Sequence, residues 1–193
     1  TFTEGDAPVA IAGNVSITDA DLGTGGTLEG ATATIALDIV DAGETLALGD
    51  VAASLTVTTS AGLIVLTGTA ETTLAEFQDA IAAITYTNPS ELPTAGDRDV
   101  TVTFADGTGE SDVQTTTITV VSVNDAPDLD LDLDTDTGEA NGDYTATFTE
   151  GDAPVAIAGN VSITDADLGT GGTLEGATAT IALDIVDAGE TLA

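Results

Sequence analysis

The sequence predicts an all-β fold in which β-sandwich domains follow one another along the chain, each with one short helix. Short runs rich in β-branched Val, Ile and Thr are separated by Gly, Asp and Asn turns, which is typical of a sandwich. Residues 147–193 repeat residues 1–47 without a change, so the period is 146 residues. That period is one domain long and exceeds any solenoid turn.

Most of the strand patterns alternate apolar and polar residues with a period of two. The predicted strands are residues 9–12 and 15–18 around a Gly13-Asn14 turn, 31–40, 54–59 and 63–67 around Ser60-Ala61-Gly62, 84–87, 99–104, 113–123 and 129–133. Aromatic residues are few, so we expect a core of Val, Ile, Leu and Ala.

Residues 73–83 depart from this alternation and predict a short helix packed on the edge of a sheet. The apolar residues of this segment recur at helical spacing: Leu74, Phe77 and Ile81. Thr73 is a candidate N-cap, and Glu76 stands three residues later, as in a capping box. Asn88-Pro89 ends the strand that follows the helix.

The domain boundary is predicted in Val123-Asn124-Asp125-Ala126-Pro127, where a long strand pattern ends at a proline that cannot donate to a ladder. The first domain then comprises residues 1–125 and lacks its opening strand, whose counterpart lies in residues 128–146. The second comprises residues 126–193 and is the N-terminal part of the next identical repeat. We expect neither domain to be complete without a neighbouring copy or a longer chain.

Composition restricts the function. Thirty-four acidic residues stand against one basic residue, Arg98, so the chain repels nucleic acid and anionic membranes and attracts cations. Cys and His are absent, which excludes cysteine nucleophiles, histidine acid–base chemistry and zinc sites built on these residues. No apolar run is long enough to span a membrane. The hydrophobic content of 42% favours a folded chain over an acidic disordered tail.

The carboxylates form tight groups beside turns, and oxygen ligands of this kind suit calcium. The candidate ligands are Glu4, Asp6, Asp19, Asp21, Asp106, Asn124 and Asp125, together with Glu150, Asp152, Asp165 and Asp167 in the second copy. Asp97 and Asp99, and Glu110 and Asp112, form further groups. The alternative interpretation is that these are solvated surface charges. Asp132, Asp134 and Asp136 resemble a DxDxD calcium loop, with an acidic edge strand as the alternative.

The string Val123-Asn124-Asp125-Ala126-Pro127 resembles the NDxAP-type linker of cadherin-like repeats. The opening TFTEGDAPVAI, the SITDADL segment and the helix followed by ITYTN are similar to the long, VCBS-type repeats of giant bacterial surface adhesins secreted by type I systems. The similarity covers the 146-residue unit. It implies Ig-like or cadherin-like sandwiches with calcium ions between successive domains.

The resemblance also implies roles for single residues. Asn124 and Asp125 would be linker ligands, and Glu4 the acidic residue of the opening strand. Asp19 and Asp21 would be a DxD-like pair, with Asp106 as the acidic residue before the last strand. The DRE-like motif of animal cadherins is absent.

We therefore expect a calcium-stiffened structural or adhesive module of an extracellular surface adhesin, filament or surface layer. Its partners would be neighbouring repeats of the same chain, with lateral or head-to-tail self-association. One alternative is a sugar- or lattice-binding domain of an adhesin, and another is an acidic halophile surface protein without specific calcium sites. An enzyme such as a glycosidase is disfavoured, because nothing places two carboxylates across a cleft and aromatic residues are scarce.

Overall fold

The computed structural model describes residues 1–20, 27–39, 41–133, 142–169, 172–184 and 187–192. These residues divide into two units, Thr1–Ala126 and Pro127–Ala193. Strands dominate and the described part of the chain contains one α-helix, so the prediction of a mainly β protein is confirmed.

The first unit contains nine strands and the helix in its described residues. They are β1 Phe2–Thr3, β2 Val9–Ala10, β3 Thr32–Leu37, β4 Thr45–Leu48, β5 Leu55–Ser60, β6 Leu63–Gly68, α1 Leu74–Ala82, β7 Ile84–Thr87, β8 Gly96–Ala105 and β9 Gln114–Val121. Six strands form one sheet in the order β1-β9-β8-β3-β6-β5, and three form another in the order β2-β7-β4. Only the pairing of β1 with β9 is parallel among those described.

Strand β3 lies at the centre of the six-stranded sheet, between β6 and β8. Its sequence TATIAL alternates, and the pleat directs Ala33, Ile35 and Leu37 into the core while the intervening residues are half-buried. Ile35 pairs with Ile64 of β6 and with Val102 of β8. Both edges of β3 are therefore paired with strands that come later in the chain.

Aromatic contacts join the layers around this core. Phe2 of the large sheet meets Tyr86 of the small sheet edge to face, with ring centroids 5.4 Å apart. Phe77 of α1 meets Phe104 of β8 in the same way at 5.1 Å. Such pairs add attraction beyond the area that they bury. The two sheets and the helix thus share one core.

Helix α1 confirms the predicted segment and its capping box. The Thr73 hydroxyl accepts a hydrogen bond from the Glu76 N–H at 3.3 Å, and the Glu76 carboxylate accepts one from the Thr73 N–H at 2.7 Å. Phe77, Ala80 and Ile81 are buried. The local sequence therefore determines where the helix begins, and its apolar face determines where it packs.

Two parts of the strand prediction were incomplete or wrong. Residues 15–18 form no strand in the first copy, where the Ile17 N–H donates instead to Gln78 of α1 at 2.8 Å. The alternation of apolar and polar residues did not predict strands β1 and β4, because two and four residues carry too little periodicity to reveal a strand. Strand β1 forms by pairing with β9, and strand β4 forms by pairing with β7.

The second unit contains β10 Asp128–Asp130, β11 Ser162–Thr164 and a 3₁₀ helix, Ala166–Leu168. Strands β10 and β11 are antiparallel, with Leu129 opposite Ile163. Strand β11 is the second copy of residues 16–18, so this segment becomes a strand where a partner is present.

The sole basic side chain of the protein is buried in a polar network that includes residues of both sheets. Arg98 is 1% exposed, and its Nε–H donates to Glu44, which is 3% exposed. Its Nη2 donates to Asp41 at 3.0 Å and to the Thr94 carbonyl at 2.7 Å. The Tyr86 hydroxyl donates to the same Glu44 oxygen at 2.7 Å. The network joins the β3–β4 loop to β7 and β8.

The network also shifts the pKa values of Tyr86 and Asp41. Burial raises the pKa of the Tyr86 hydroxyl, and its hydrogen bond to the Glu44 carboxylate raises the pKa further. Burial alone would raise the pKa of Asp41. Hydrogen bonds from Thr94 and Asn88 and the charge of Arg98 outweigh that effect, so the pKa of Asp41 lies below its ordinary value. Asp41 and Arg98 are thus held as ions.

Removing Arg98 should destabilise the first unit strongly. In Arg98→Met, Glu44 is left as a buried charge without its cation, which costs about 3–5 kcal/mol in the free energy of unfolding. In Arg98→Met/Glu44→Gln, the charge is gone as well, and we expect part of that loss to be recovered. Urea denaturation of the two variants measures the difference; equal stability of the single variant and the unsubstituted chain would contradict this account.

Candidate functional site

Glu4 lies where the short first strand leaves the large sheet. Strand β1 runs parallel to β9, and the Glu4 N–H extends this ladder by donating to the Val121 carbonyl at 2.9 Å. The chain then turns at Gly5, whose φ of 76° favours glycine. Asp6 closes the turn, because its carboxylate accepts the Thr3 N–H at 2.8 Å. The turn therefore fixes Glu4 at the end of β9.

The Glu4 carboxylate holds the start of the segment that follows β9. Its Oε2 accepts hydrogen bonds from the Val123 N–H at 2.9 Å and from the Ser122 hydroxyl at 3.3 Å. Its Oε1 is shielded from solvent and has no hydrogen-bond partner among the described residues. A shielded carboxylate oxygen without a partner is costly, so this atom fits a site that a cation fills.

Asp125 brings a second carboxylate to the same place. One of its carboxylate oxygens lies within 4.8 Å of a carboxylate oxygen of Glu4. Calcium–oxygen distances are about 2.3–2.6 Å, so two oxygens at this separation can be ligands of one calcium ion. Asn124 orients this segment, since its side-chain amide donates to the Asp125 carbonyl at 2.6 Å. The structure thus brings together Glu4 and Asp125 of the predicted ligands.

Asp106 and Asp19 meet elsewhere, on a groove of about 720 Å³ that is also lined by Glu110 and Asp112. The Asp106 carboxylate accepts three hydrogen bonds from residues of its own loop. It accepts the N–H groups of Thr108 at 2.9 Å and Gly109 at 2.7 Å, and the Thr108 hydroxyl at 2.8 Å. These bonds lower the pKa of Asp106 to about 2. The loop accounts for this carboxylate without a metal.

Several other predicted ligands have local roles or are exposed. Asp6 closes its turn, and Asp165 caps the 3₁₀ helix by accepting the Asp167 N–H at 3.0 Å. Glu150 and Asp152 are exposed in the second copy of the Glu4 turn. Asp21 lies outside the described residues, as do Asp134 and Asp136 of the DxDxD segment, although Asp132 is described and buried.

Two further acidic groups have structural roles. Asp97 and Asp99 accept hydrogen bonds from the Thr119 and Thr117 hydroxyls across the β8–β9 ladder, at 2.8 and 2.9 Å. The sequence did not reveal Asp41 and Glu44, which lie 57 and 54 positions from Arg98, or Asn88, whose side-chain amide donates to both carboxylates. The available signal was the single cation among so many carboxylates, because a lone cation in an acidic chain is expected to find an acidic partner.

In the part of the chain that the structure describes, no helix has the length and apolar character needed to cross a membrane. Comparisons with protein-family models, curated proteins and solved structures find no match to this chain. The cadherin-like resemblance therefore stays a prediction that rests on the linker and repeat motifs.

Acid should release the Asp106 loop at an unusually low pH. Because the pKa of Asp106 is lowered to about 2 in the folded state, its hydrogen bonds contribute fully above the unfolded value of about 4 and are lost as the pH falls through 2. We expect the Asp106 carboxyl carbon to titrate near pH 2 in an NMR experiment, with Asp106→Asn used to assign the signal. A midpoint near 4 would contradict the hydrogen bonding described.

Proposed function

We propose that this protein is a calcium-stiffened repeat of an extracellular surface adhesin, filament or surface layer, built from β-sandwich domains. The observation that carries the proposal is the pairing of Glu4 with Asp125, next to a shielded Glu4 oxygen that has no hydrogen-bond partner among the described residues. The adhesive role and the extracellular location are supported by the resemblance of the repeat and its linker to cadherin-like bacterial adhesins.

The proposed stiffening follows from where the two ligands lie. Glu4 continues a strand of the large sheet, whereas Asp125 belongs to the segment that leads out of the unit. The Glu4 carboxylate already binds the Val123 N–H, 119 positions away in sequence. A calcium ion shared by Glu4 and Asp125 would extend this attachment by two residues and fix the direction in which the chain leaves the domain.

The charge balance supports an external cation at this place. The chain has one basic side chain, and Arg98 is enclosed by Glu44, Asp41 and the Thr94 carbonyl. The sequence contains no lysine and no second arginine. Two carboxylates this close repel each other, and a divalent cation converts the repulsion into attraction.

Calcium binding would also make folding depend on the compartment. An ion that binds the folded state stabilises it by RT ln(1 + [L]/Kd), and extracellular calcium modules have a Kd of about 10⁻⁴–10⁻³ M. Sites of this affinity fill outside a cell and stay largely empty inside. The array would therefore be flexible before secretion and stiff after it.

Removing calcium should destabilise and loosen the first unit, and the effect should depend on Glu4. We expect calcium at ten times its Kd to add about 1.4 kcal/mol to the free energy of unfolding, and EDTA to remove this gain. Glu4→Gln should weaken calcium binding about tenfold or more in isothermal titration calorimetry. Glu91→Gln makes the same chemical change at an exposed loop residue and should leave binding unchanged.

The same titration separates the proposal from the halophile alternative. A solvated acidic surface would respond to sodium chloride as strongly as to calcium at equal ionic strength, because screening depends on ionic strength. Glu4→Gln and Glu91→Gln would then behave alike. That result, or a melting temperature unaffected by EDTA, would overturn the calcium proposal.

A further inference from the structure

Strand β5 forms an edge of the large sheet. It is last in the order β1-β9-β8-β3-β6-β5, so one side pairs with β6 and the other side has no ladder among the described residues. Its six residues, Leu55–Ser60, pair with β6 one to one, without a bulge. An edge of this kind presents N–H and C=O groups that can bind another strand.

The features that usually protect an edge strand are absent from β5. Natural edges are blocked by charged side chains, prolines, bulges or short length. Residues 51–70, which contain β5 and β6, have no charged residue and no proline, and Asp50 and Glu71 flank them. They form the longest charge-free stretch in a chain whose net charge is −33. The edge of β5 is therefore open to a strand of another molecule.

The other edges of the described sheets are shorter or lie beside carboxylates. Strands β1 and β2 have two residues each, and β4 has four and follows Glu44 directly. The part of β9 that β1 leaves unpaired borders the groove lined by Asp19, Asp106, Glu110 and Asp112. Carboxylates at these places repel a second copy of so acidic a chain. Strand β5 is thus the edge at which a second copy meets the least opposing charge.

We propose that β5 pairs antiparallel with β5 of a second copy of this chain, across a two-fold axis, which joins the two large sheets into one. The contact is isologous, because the same strand serves both copies. Thr56, Thr58 and Ser60 are exposed on one face of β5, so the pairing places hydroxyls beside hydroxyls across the axis. Pairs of Thr with Thr or Ser add attraction to the backbone hydrogen bonds.

The net charge determines how this pairing depends on salt. Each copy carries a net charge of −33, so two copies repel each other at low ionic strength. Salt screens the carboxylates that lie away from the strand, whereas the ladder of β5 contains no charged group. Pairing therefore strengthens as sodium chloride is added, which is the opposite of an interface built on ion pairs. It goes beyond the proposed calcium site, because it uses neither Glu4 nor Asp125.

The test uses the full chain in EDTA, so that the calcium site plays no part, and sedimentation equilibrium measures the Kd of the dimer. Thr58→Glu places a carboxylate in the middle of the pairing strand of each copy, and Thr58→Gln is its uncharged match. Thr115→Glu adds the same charge at an exposed residue of β9. Glu4→Gln removes the proposed calcium ligand and leaves β5 unchanged.

We expect the unsubstituted chain to dimerise with a Kd that falls as sodium chloride rises from about 0.1 M to about 1 M. Thr58→Glu should raise the Kd about tenfold or more, because like charges then meet across the axis. The three other variants should stay within about twofold of the unsubstituted chain, since none of them places a charge on β5. Hydrogen exchange of the β5 amides should slow as the dimer forms.

Two results would overturn the proposal. One is a chain that stays monomeric at every salt and protein concentration. The other is a dimer that Thr58→Glu and Thr115→Glu weaken equally, because the interface would then lie away from β5. Loss of calcium binding in Glu4→Gln with unchanged dimerisation separates this proposal from the calcium site.

Discussion

The chain has 34 acidic residues and one basic residue, and the structure depends on where that basic side chain is placed. The fold places that cation, Arg98, in the interior, where Glu44 and Asp41 neutralise it. Burying an ion is favourable only with close partners and satisfied donors, and the Thr94 carbonyl and the Tyr86 hydroxyl complete this set. Most of the other described carboxylates are exposed or half-buried, and Asp125 lies in the segment after β9.

Hydrogen bonding separates the carboxylates with a structural role from those of the proposed calcium site. Asp6, Asp97, Asp99 and Asp106 accept hydrogen bonds from nearby amides or hydroxyls, which accounts for their positions. Glu4 differs because one oxygen holds the Val123 N–H and the other is shielded with no hydrogen-bond partner in the described chain. An acidic sequence alone does not distinguish these roles. The hydrogen bonds that each carboxylate oxygen accepts distinguish these roles.

What the sequence predicted well was local. The helix, its capping box and strand β7 follow from neighbouring residues, and the structure places them within a residue of the prediction. The Arg98 network was missed because Glu44 lies 54 positions away, and no local pattern encodes such a pairing.

The two identical 47-residue segments show what local sequence does not determine. Their turns agree, but only the segment that contacts residues 48–121 forms β3, so tertiary partners determine the strand. Glu4 and Asp125 were predicted as ligands, yet their approach follows from the parallel pairing of β1 with β9.

The most direct measurement of the central claim is a crystal structure of the chain grown with calcium, with the ion identified by its anomalous scattering. The account predicts an ion bound by Glu4 Oε1 and by a carboxylate oxygen of Asp125, each at about 2.3–2.6 Å. Density for water alone between these two side chains at saturating calcium would contradict it.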